Sequence, residues 1–278
     1  MSKLEFNHYG KHMVRLLRVT RGATEHEVAE WEADVLLEGD LEGSYLSDDN
    51  SSVVPTDTVK NTVLALAHDL ENASRDDFAL ALAEHFLARY SHLNATDVEV
   101  RERLWTRMAP GGVAHAHSFQ RDANGRPFSK VRAERGKPPL RSGGIRDFVI
   151  MKTTESGFAG YPKCELTTLP ETTDRILATS MNALWEYSGD ATCQSSALLD
   201  VMLKVFTETY SPSVQRTLFL MGEAALEAFA GVSRIKLTMP NKHYLNLDLT
   251  KVGRPAGQNK IFLPTDDPFG YIEAVVAR

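Results

Sequence analysis

Alternation of apolar and polar positions lays out one structural plan twice along the chain. Ala29, Trp31, Ala33, Val35 and Leu37 alternate with Glu30, Glu32 and Asp34, the period-two signature of a strand with one dry and one wet face. Residues 12–19 predict a partner strand ahead of it. Behind the start signal Thr56-Asp57, Val59, Val63, Leu66 and Leu70 recur at helical spacing, predicting a helix of about three to four turns. Ser74 with Asp77 resembles a capping box, after which Phe78, Leu82, Phe86 and Tyr90 share one helical face. Val98 and Val100 lead into Leu104 and predict a strand continuing through Trp105 and Met108. Asn124-Gly125 predicts a hairpin turn between residues 115–120 and 128–133.

Residues 135–144, with Pro138-Pro139 and Gly143-Gly144, form the most linker-like stretch and suggest two domains, 1–140 and 141–278. The plan then repeats. Residues 145–154 and 176–187 predict long strands. Leu198, Met202, Val205 and Phe206 mark a third helix, and Val214, Leu218, Met221, Ala225 and Phe229 a fourth. Ile235, Leu237 and Met239, then Leu245, Leu247 and Leu249, alternate as two further strands, with Pro240 and Asn241 as the turn joining them. Each half is therefore expected to be an α+β unit of ββααββ order, a four-stranded antiparallel sheet with two helices on one face. Such sheets have exposed edges that several chains could cover, with sheets of different copies closing into a barrel.

Composition narrows the function. The 278 residues are 42% hydrophobic and 24% charged, with 31 basic against 37 acidic residues and a formal net charge of −6. Mild acidity without a basic run argues against nucleic acid as a partner, since polyanion affinity rests on clustered Lys and Arg. No apolar stretch reaches the roughly 18 residues of a membrane crossing, and the start of the chain lacks the apolar run of a signal peptide, so no membrane partner and an intracellular location are expected. Cys164 and Cys193 cannot build a disulfide framework or a thiolate zinc site. His115-x-His117 would share one face of a strand, but no nearby ligand completes a metal set; His68-Asp69 fits a solvated pair inside a helix. Phosphate-binding and dinucleotide-binding glycine motifs and the hydrolase nucleophile elbow are missing from the sequence.

What remains is a set of polar residues at element ends: Lys11 before a strand, Thr56 at a helix start, Arg175 before a long strand, Gln215 in a first helical turn, and His243 at a strand start. Each has an ordinary alternative. Thr56 could simply be an N-cap, Arg175 could pair with Asp174 or Glu171, and His243 could be a hydrogen-bonded core histidine. Phe158, set between Gly157 and Gly160, is either a loop anchor or a stacking platform for a flat ligand.

Five stretches, in order and across nearly the whole chain, resemble the urate oxidase (uricase) family. They are Tyr9-Gly10-Lys11; Val54-Pro55-Thr56-Asp57-Thr58-Val59-Lys60-Asn61-Thr62; Lys152-Thr153-Thr154-Glu155-Ser156-Gly157-Phe158 on through Thr168-Leu169-Pro170-Glu171 to Asp174-Arg175; Ser211-Pro212-Ser213-Val214-Gln215; and Met239-Pro240-Asn241-Lys242-His243-Tyr244. The resemblance implies the tunnelling fold, two ββααββ domains per chain, and a homotetrameric barrel with active sites shared between subunits. It also implies oxidation of urate with O₂ and water to 5-hydroxyisourate and H₂O₂, with no metal and no organic cofactor.

Carried over by residue, the resemblance has Phe158 stack on the purine while Arg175 and Gln215 hold its polar edges. Backbone N–H groups of Val214 and Asp57 orient it at helix starts, where unpaired donors favour an anion. Lys11 and Thr56 form a dyad reaching in from the neighbouring subunit, His243 extends it into a proton relay, and Asn241 holds O₂ or the attacking water. An electron-rich urate can pass electrons to O₂ itself, so the protein must move protons and place reactants. Leu166 stands where the family usually has an aromatic, and Phe148 and Met151 replace smaller aliphatics. The final Val275-Val276-Ala277-Arg278 lacks a peroxisomal Ser-Lys-Leu, so a bacterial, cytoplasmic enzyme is expected. Two other readings compete: a different tunnelling-fold enzyme such as a GTP cyclohydrolase, which would ordinarily show a Cys/His zinc set, and a non-catalytic urate-binding protein.

Overall fold

Burial of the alternating face around Trp31 produces a long strand whose apolar side chains face a helix pair. In the computed structural model, which describes residues 3–255 and 259–278, the chain runs through β1 (Tyr9–Arg21), β2 (His26–Gly39), α1 (Glu42–Leu46), α2 (Thr56–Asp69), α3 (Arg75–Arg89), β3 (Leu93–Arg103), β4 (Trp105–Arg107), β5 (Phe119–Arg121) and β6 (Arg126–Glu134). It continues through β7 (Leu140–Lys152), β8 (Leu177–Tyr187), α4 (Ser195–Glu208), α5 (Val214–Ala228), β9 (Val232–Thr238), β10 (Asn241–Asn246), β11 (Phe262–Gly270) and β12 (Glu273–Ala277). Two units can be distinguished, Met1–Gly144 with Glu186–Thr192, and Ile145–Trp185 with Cys193–Arg278.

In the first unit β1, β2, β3 and β6 lie side by side in that order, antiparallel throughout. Trp31, Ala33, Val35 and Leu37 of β2 and Val98 and Val100 of β3 are buried with Val59 and Val63 of α2 and Phe78, Leu82 and Phe86 of α3. Trp31 stacks on Phe78 with ring centroids 5.2 Å apart. Arg18 lies over the other part of this layer, 4.4 Å from the Trp31 ring, and donates to the carbonyls of Leu70 and Ala73 just past α2, where a cation complements the helix C-terminus. The Ser74 hydroxyl accepts the Asp77 amide and so caps α3 as its sequence predicts.

The wet face of β2 is an ionic layer. Arg101 of β3 donates to Glu32 at 3.0 Å, to Asp34 at 2.8 Å and to Glu99 at 2.9 Å, and Arg103 donates to Glu32 at 3.1 Å. Glu32 is only 7% exposed. A carboxylate this dry requires its cationic partners, so the layer specifies strand register more than it adds stability.

Several local expectations need correction. β3 stops at Arg103, and Trp105–Arg107 pairs instead with Phe119–Arg121 in a separate two-stranded ribbon. The cause is Glu30, whose carboxylate accepts from the Trp105 indole at 2.9 Å and from Arg121 at 3.0 Å. Asn124-Gly125 therefore does not join two paired strands, and His115 and His117 sit in the loop between β4 and β5, with rings 4.6 Å apart. Residues 140–144 are strand rather than linker. Pro240 makes no hairpin: β9 and β10 both pair with β8, so it interrupts one continuing strand.

In the second unit β8 lies beside β7 and is flanked on its other side by β9 and β10; β12 pairs with β9 and β11 with β10. Met181 and Trp185 of β8, Leu198, Met202 and Phe206 of α4, Leu218 and Met221 of α5, and Ile235 and Leu237 of β9 form its buried apolar set. The ββααββ order recurs, with the β10–β11 pair added. No helix among the described residues is long and apolar enough to cross a membrane.

β12 is tied to β9 by Glu273, which accepts from Tyr271 at 2.7 Å, Thr238 at 2.8 Å and Lys236 at 2.9 Å, and these partners pull its carboxyl down to about 2 from an ordinary 4.5. A depressed carboxylate stabilises the fold above its unfolded value and loses that contribution as pH falls through its folded value. Between pH 4.5 and 2, the melting temperature of Glu273→Gln is therefore expected to fall less steeply than that of the wild type in a scanning calorimetry pH series.

Candidate active site

The sequence-predicted residues fall into two groups, one in each unit. In the first unit Lys11 is half-buried on β1 opposite Val35. The preceding Gly10 is required, since a Cβ there would lie 1.9 Å from the Val35 carbonyl oxygen. Immediately after Lys11 the ladder slips, and pairing resumes with Val14 opposite Ala33, a β-bulge of the kind that re-aims a side chain.

Thr56 is the first residue of α2, with Pro55 in the cap position and no capping side chain. The Val59 amide makes the helix's first bond, to Pro55 at 3.1 Å, so the amides of Thr56, Asp57 and Thr58 come before it at an exposed helix start. The Asp57 carboxylate accepts from Lys60 at 2.5 Å and Asn61 at 3.0 Å. Lys60 above all, with a smaller contribution from the Lys11 charge, holds it below the usual carboxylate range. Tyr9 links this helix start to β1, its hydroxyl accepting the Val54 amide at 2.6 Å. In the sequence Tyr9 is legible only as part of a motif. Its signal is position: it stands two residues before Lys11 on the strand and bonds two residues before Thr56.

In the second unit the Phe158 loop is held on both sides by backbone bonds. Phe158 and Thr172 exchange bonds of 2.7 and 3.0 Å, Gly157 donates to Ser211 at 2.8 Å, and Arg175 donates to Ser156 at 2.8 Å. The Arg175 guanidinium thus comes to 5.5 Å from the Phe158 ring centroid. Its Nε is buried with no hydrogen-bond partner among the described residues, and burial pushes its pKa down, with Tyr210 opposing. A buried guanidinium donor left open calls for an acceptor atom. It does not pair with Asp174, whose carboxylate instead accepts from Thr154 at 2.8 Å.

Ser213 caps α5 by accepting the Arg216 amide at 3.1 Å, which leaves Val214 and Gln215 in the first turn. Val214 is buried and Gln215 is exposed. Asn241 and His243 are the first and third residues of β10, both half-buried; between them the β10–β11 pairing jumps from Asn241 opposite Gly270 to His243 opposite Thr265. Arg175, Asn241 and His243 line one cavity of about 650 Å³ with Thr153, Thr172 and Tyr244. Phe158, Val214 and Gln215 are not among its lining residues. His68 and Asp69 form an exposed pair at 3.1 Å. Among the described residues no group of three or more His, Cys, Asp or Glu could hold a metal ion.

The family profile for uricase matches residues 7–132 and 141–273. The chain belongs to the uricase family. It is 40% identical to the uricase of Dictyostelium discoideum, over 100% of this chain and 98% of that protein, and 35% identical to that of Oryctolagus cuniculus, over 97% and 93%. The crystal structure of the Arthrobacter globiformis uricase, 34% identical, matches with a TM-score of 0.93 over 100% of this chain and 96% of that one. A Bacillus sp. TB-90 urate oxidase, 21% identical with a TM-score of 0.87, shares the fold. The chain is thus an enzyme, a urate oxidase built from two α+β tunnelling-fold segments.

The uricase loop at Phe158 tolerates no side chain before it. A Cβ on Gly157 would lie 2.2 Å from the Tyr210 hydroxyl and 2.8 Å from the Thr172 carbonyl oxygen. Gly157→Ala is expected to displace the Phe158–Arg175 pair and to destabilise the fold by about 1–3 kcal/mol, the usual cost of overpacking. Adding Tyr210→Phe, which removes the nearest clash, should restore part of it in thermal denaturation.

Proposed function

We propose that this uricase converts urate, O₂ and water to 5-hydroxyisourate and H₂O₂ at a site completed between chains of a homotetramer, Lys11, Thr56 and Asp57 coming from one chain and Phe158, Arg175, Val214, Gln215, Asn241 and His243 from its neighbour. The observation that carries the reading is Arg175, whose buried Nε lacks a partner beside the Phe158 ring, on a cavity it shares with Asn241 and His243. A flat anion with ring-nitrogen and carbonyl acceptors meets both demands, stacking on the ring and taking the guanidinium fork, with Gln215 able to donate and accept at its other edge. The open amides at the start of α2 and α5 favour negative charge.

Chemistry at such a site divides between substrate and protein. Urate gives up two electrons and two protons, which O₂ takes up to leave as H₂O₂; water then adds its hydroxyl to the oxidised ring carbon and its proton to a ring nitrogen. Lys11 draws protons from urate through Thr56, whose hydroxyl relays them without net charge, and His243 carries the relay onward to the reduced oxygen. Asn241 holds O₂ and then the attacking water. Assembly is supported by apolar side chains left exposed on the sheet strands, among them Met13 and Leu17 of β1, Val149 and Met151 of β7, and Leu245 and Leu263 of β10 and β11.

Lys11→Met and Thr56→Ala are expected to lower turnover by about 100-fold or more, the scale of a lost general base, with little change in urate binding. Arg175→Ala is expected to weaken binding more than turnover. Loss of urate absorbance with stoichiometric H₂O₂ in metal-free buffer measures both; wild-type turnover in Lys11→Met would sink the relay.

A further inference from the structure

The same backbone device recurs in the two units. On β1, Met13 adopts φ 57 and its N–H donates to Oδ1 of Asp34 on β2 at 2.7 Å. On β7, Asp147 adopts φ 56 and its N–H donates to Oδ1 of Asn182 on β8 at 3.1 Å. In both, a non-glycine residue on the first strand of a ββααββ unit takes the left-handed conformation, and a side chain from the second strand accepts its amide. That conformation is disfavoured for an L residue and persists only where surrounding contacts impose it.

The two devices differ in what precedes them. Two residues before Met13 stands Lys11; two before Asp147 stands Ile145, which is buried at 3% exposure. They also differ in the clamp. Asn182 is neutral, whereas the Asp34 carboxylate additionally takes His12 Nδ1 at 3.0 Å and Arg101 Nη1 at 2.8 Å. Because Arg101 also binds Glu32 and Glu99, Asp34 is anchored to the ionic layer across β2 and β3.

We propose that Asp34 is the positioning residue for Lys11. By accepting the Met13 amide it holds the extra residue of β1 in place, which sets the direction in which Lys11 leaves the strand. The inference rests on the assignment of Lys11 to the proton relay. Lys11 is the last paired residue before the slip, and the tight passage of Gly10 over Val35 restrains the chain on its other side. Slack released by loss of the clamp therefore falls on Lys11 to Val14, and a one-residue slip would turn side chains to the opposite face.

The test uses the full-length enzyme, with kcat and KM for urate and melting temperature measured in parallel. Asp34→Ala is expected to lower kcat by about 10- to 100-fold with KM within about twofold, as displacement of a catalytic group does. Asp34→Asn, which keeps the acceptor that Asn182 supplies in the second unit, should recover most of kcat. Asn182→Ala should leave kcat unchanged, and adding Asp34→Ala to Lys11→Met should cause no further loss. If Asp34→Ala does not fold, Asp34→Glu, which keeps the charge but moves the acceptor, should show the same fall in kcat. Wild-type kcat in the folded Asp34 variant beside an inactive Lys11→Met overturns the clamp and spares the relay. Equal kcat losses in Asp34→Ala and Asn182→Ala, or multiplying losses in the double variant, also overturn it. An active Lys11→Met removes the relay reading and this inference with it.

Discussion

The organisation of the first unit hangs on β2, which is held on its two faces by different forces. Trp31, Ala33, Val35 and Leu37 lose their water against α2 and α3, while Glu32 and Asp34 on the reverse face bind Arg101 and Arg103. A register error would exchange the faces, putting carboxylates into the apolar layer and leaving guanidinium groups without partners. β1 can therefore carry a bulge after Lys11 without the whole ladder becoming free to slide. Precision at one side chain depends on the certainty of its neighbour strand.

The second unit meets a comparable demand differently. Its Phe158 loop has no long ladder; it is pinned by backbone bonds to residues 172–175 and to Ser211, with Gly157 leaving room for Tyr210. The Ser211 hydroxyl lies 2.5 Å from that of Thr217, which ties the same loop to the first turns of α5. Phe158, Arg175, Val214 and Gln215 thus share one connected support. An aromatic ring, a buried guanidinium and an open helix start are common features separately. Their joint support in one small region suits a planar anion.

Much of this is legible in the chain. The dry face of β2, the helical face from Phe78 to Phe86 and the Ser74 cap each follow from spacing over a few residues, and the structure has them there. Hydrophobic spacing and start signals alone also set Thr56, Phe158, Arg175, Gln215 and His243 in loops or at element ends, whereas Lys11, expected just before a strand, lies within β1 and pairs with Val35. Legibility fails where a distant partner decides. β3 ends at Arg103 because Glu30 gathers Trp105 and Arg121, and nothing local announces that. Pro240 looks like a turn because proline and asparagine usually make one; here both flanking segments continue along β8.

Sequence alone determined the α+β class and the doubled ββααββ order, because periodicity and capping are local properties, and its five motif stretches carried the resemblance to urate oxidases. Tertiary structure decided what those residues can touch. Asp34 looks like one more solvent-facing acid in an alternating strand, yet its carboxylate takes the amide of Met13, His12 and Arg101 together. Arg175 looks free to pair with Asp174, yet its backbone is drawn to Ser156 and its Nε is buried without a partner among the described residues. Both outcomes depend on strands and loops meeting across many residues of chain, and hydrogen-bond satisfaction in a dry environment is settled only when those partners are in place.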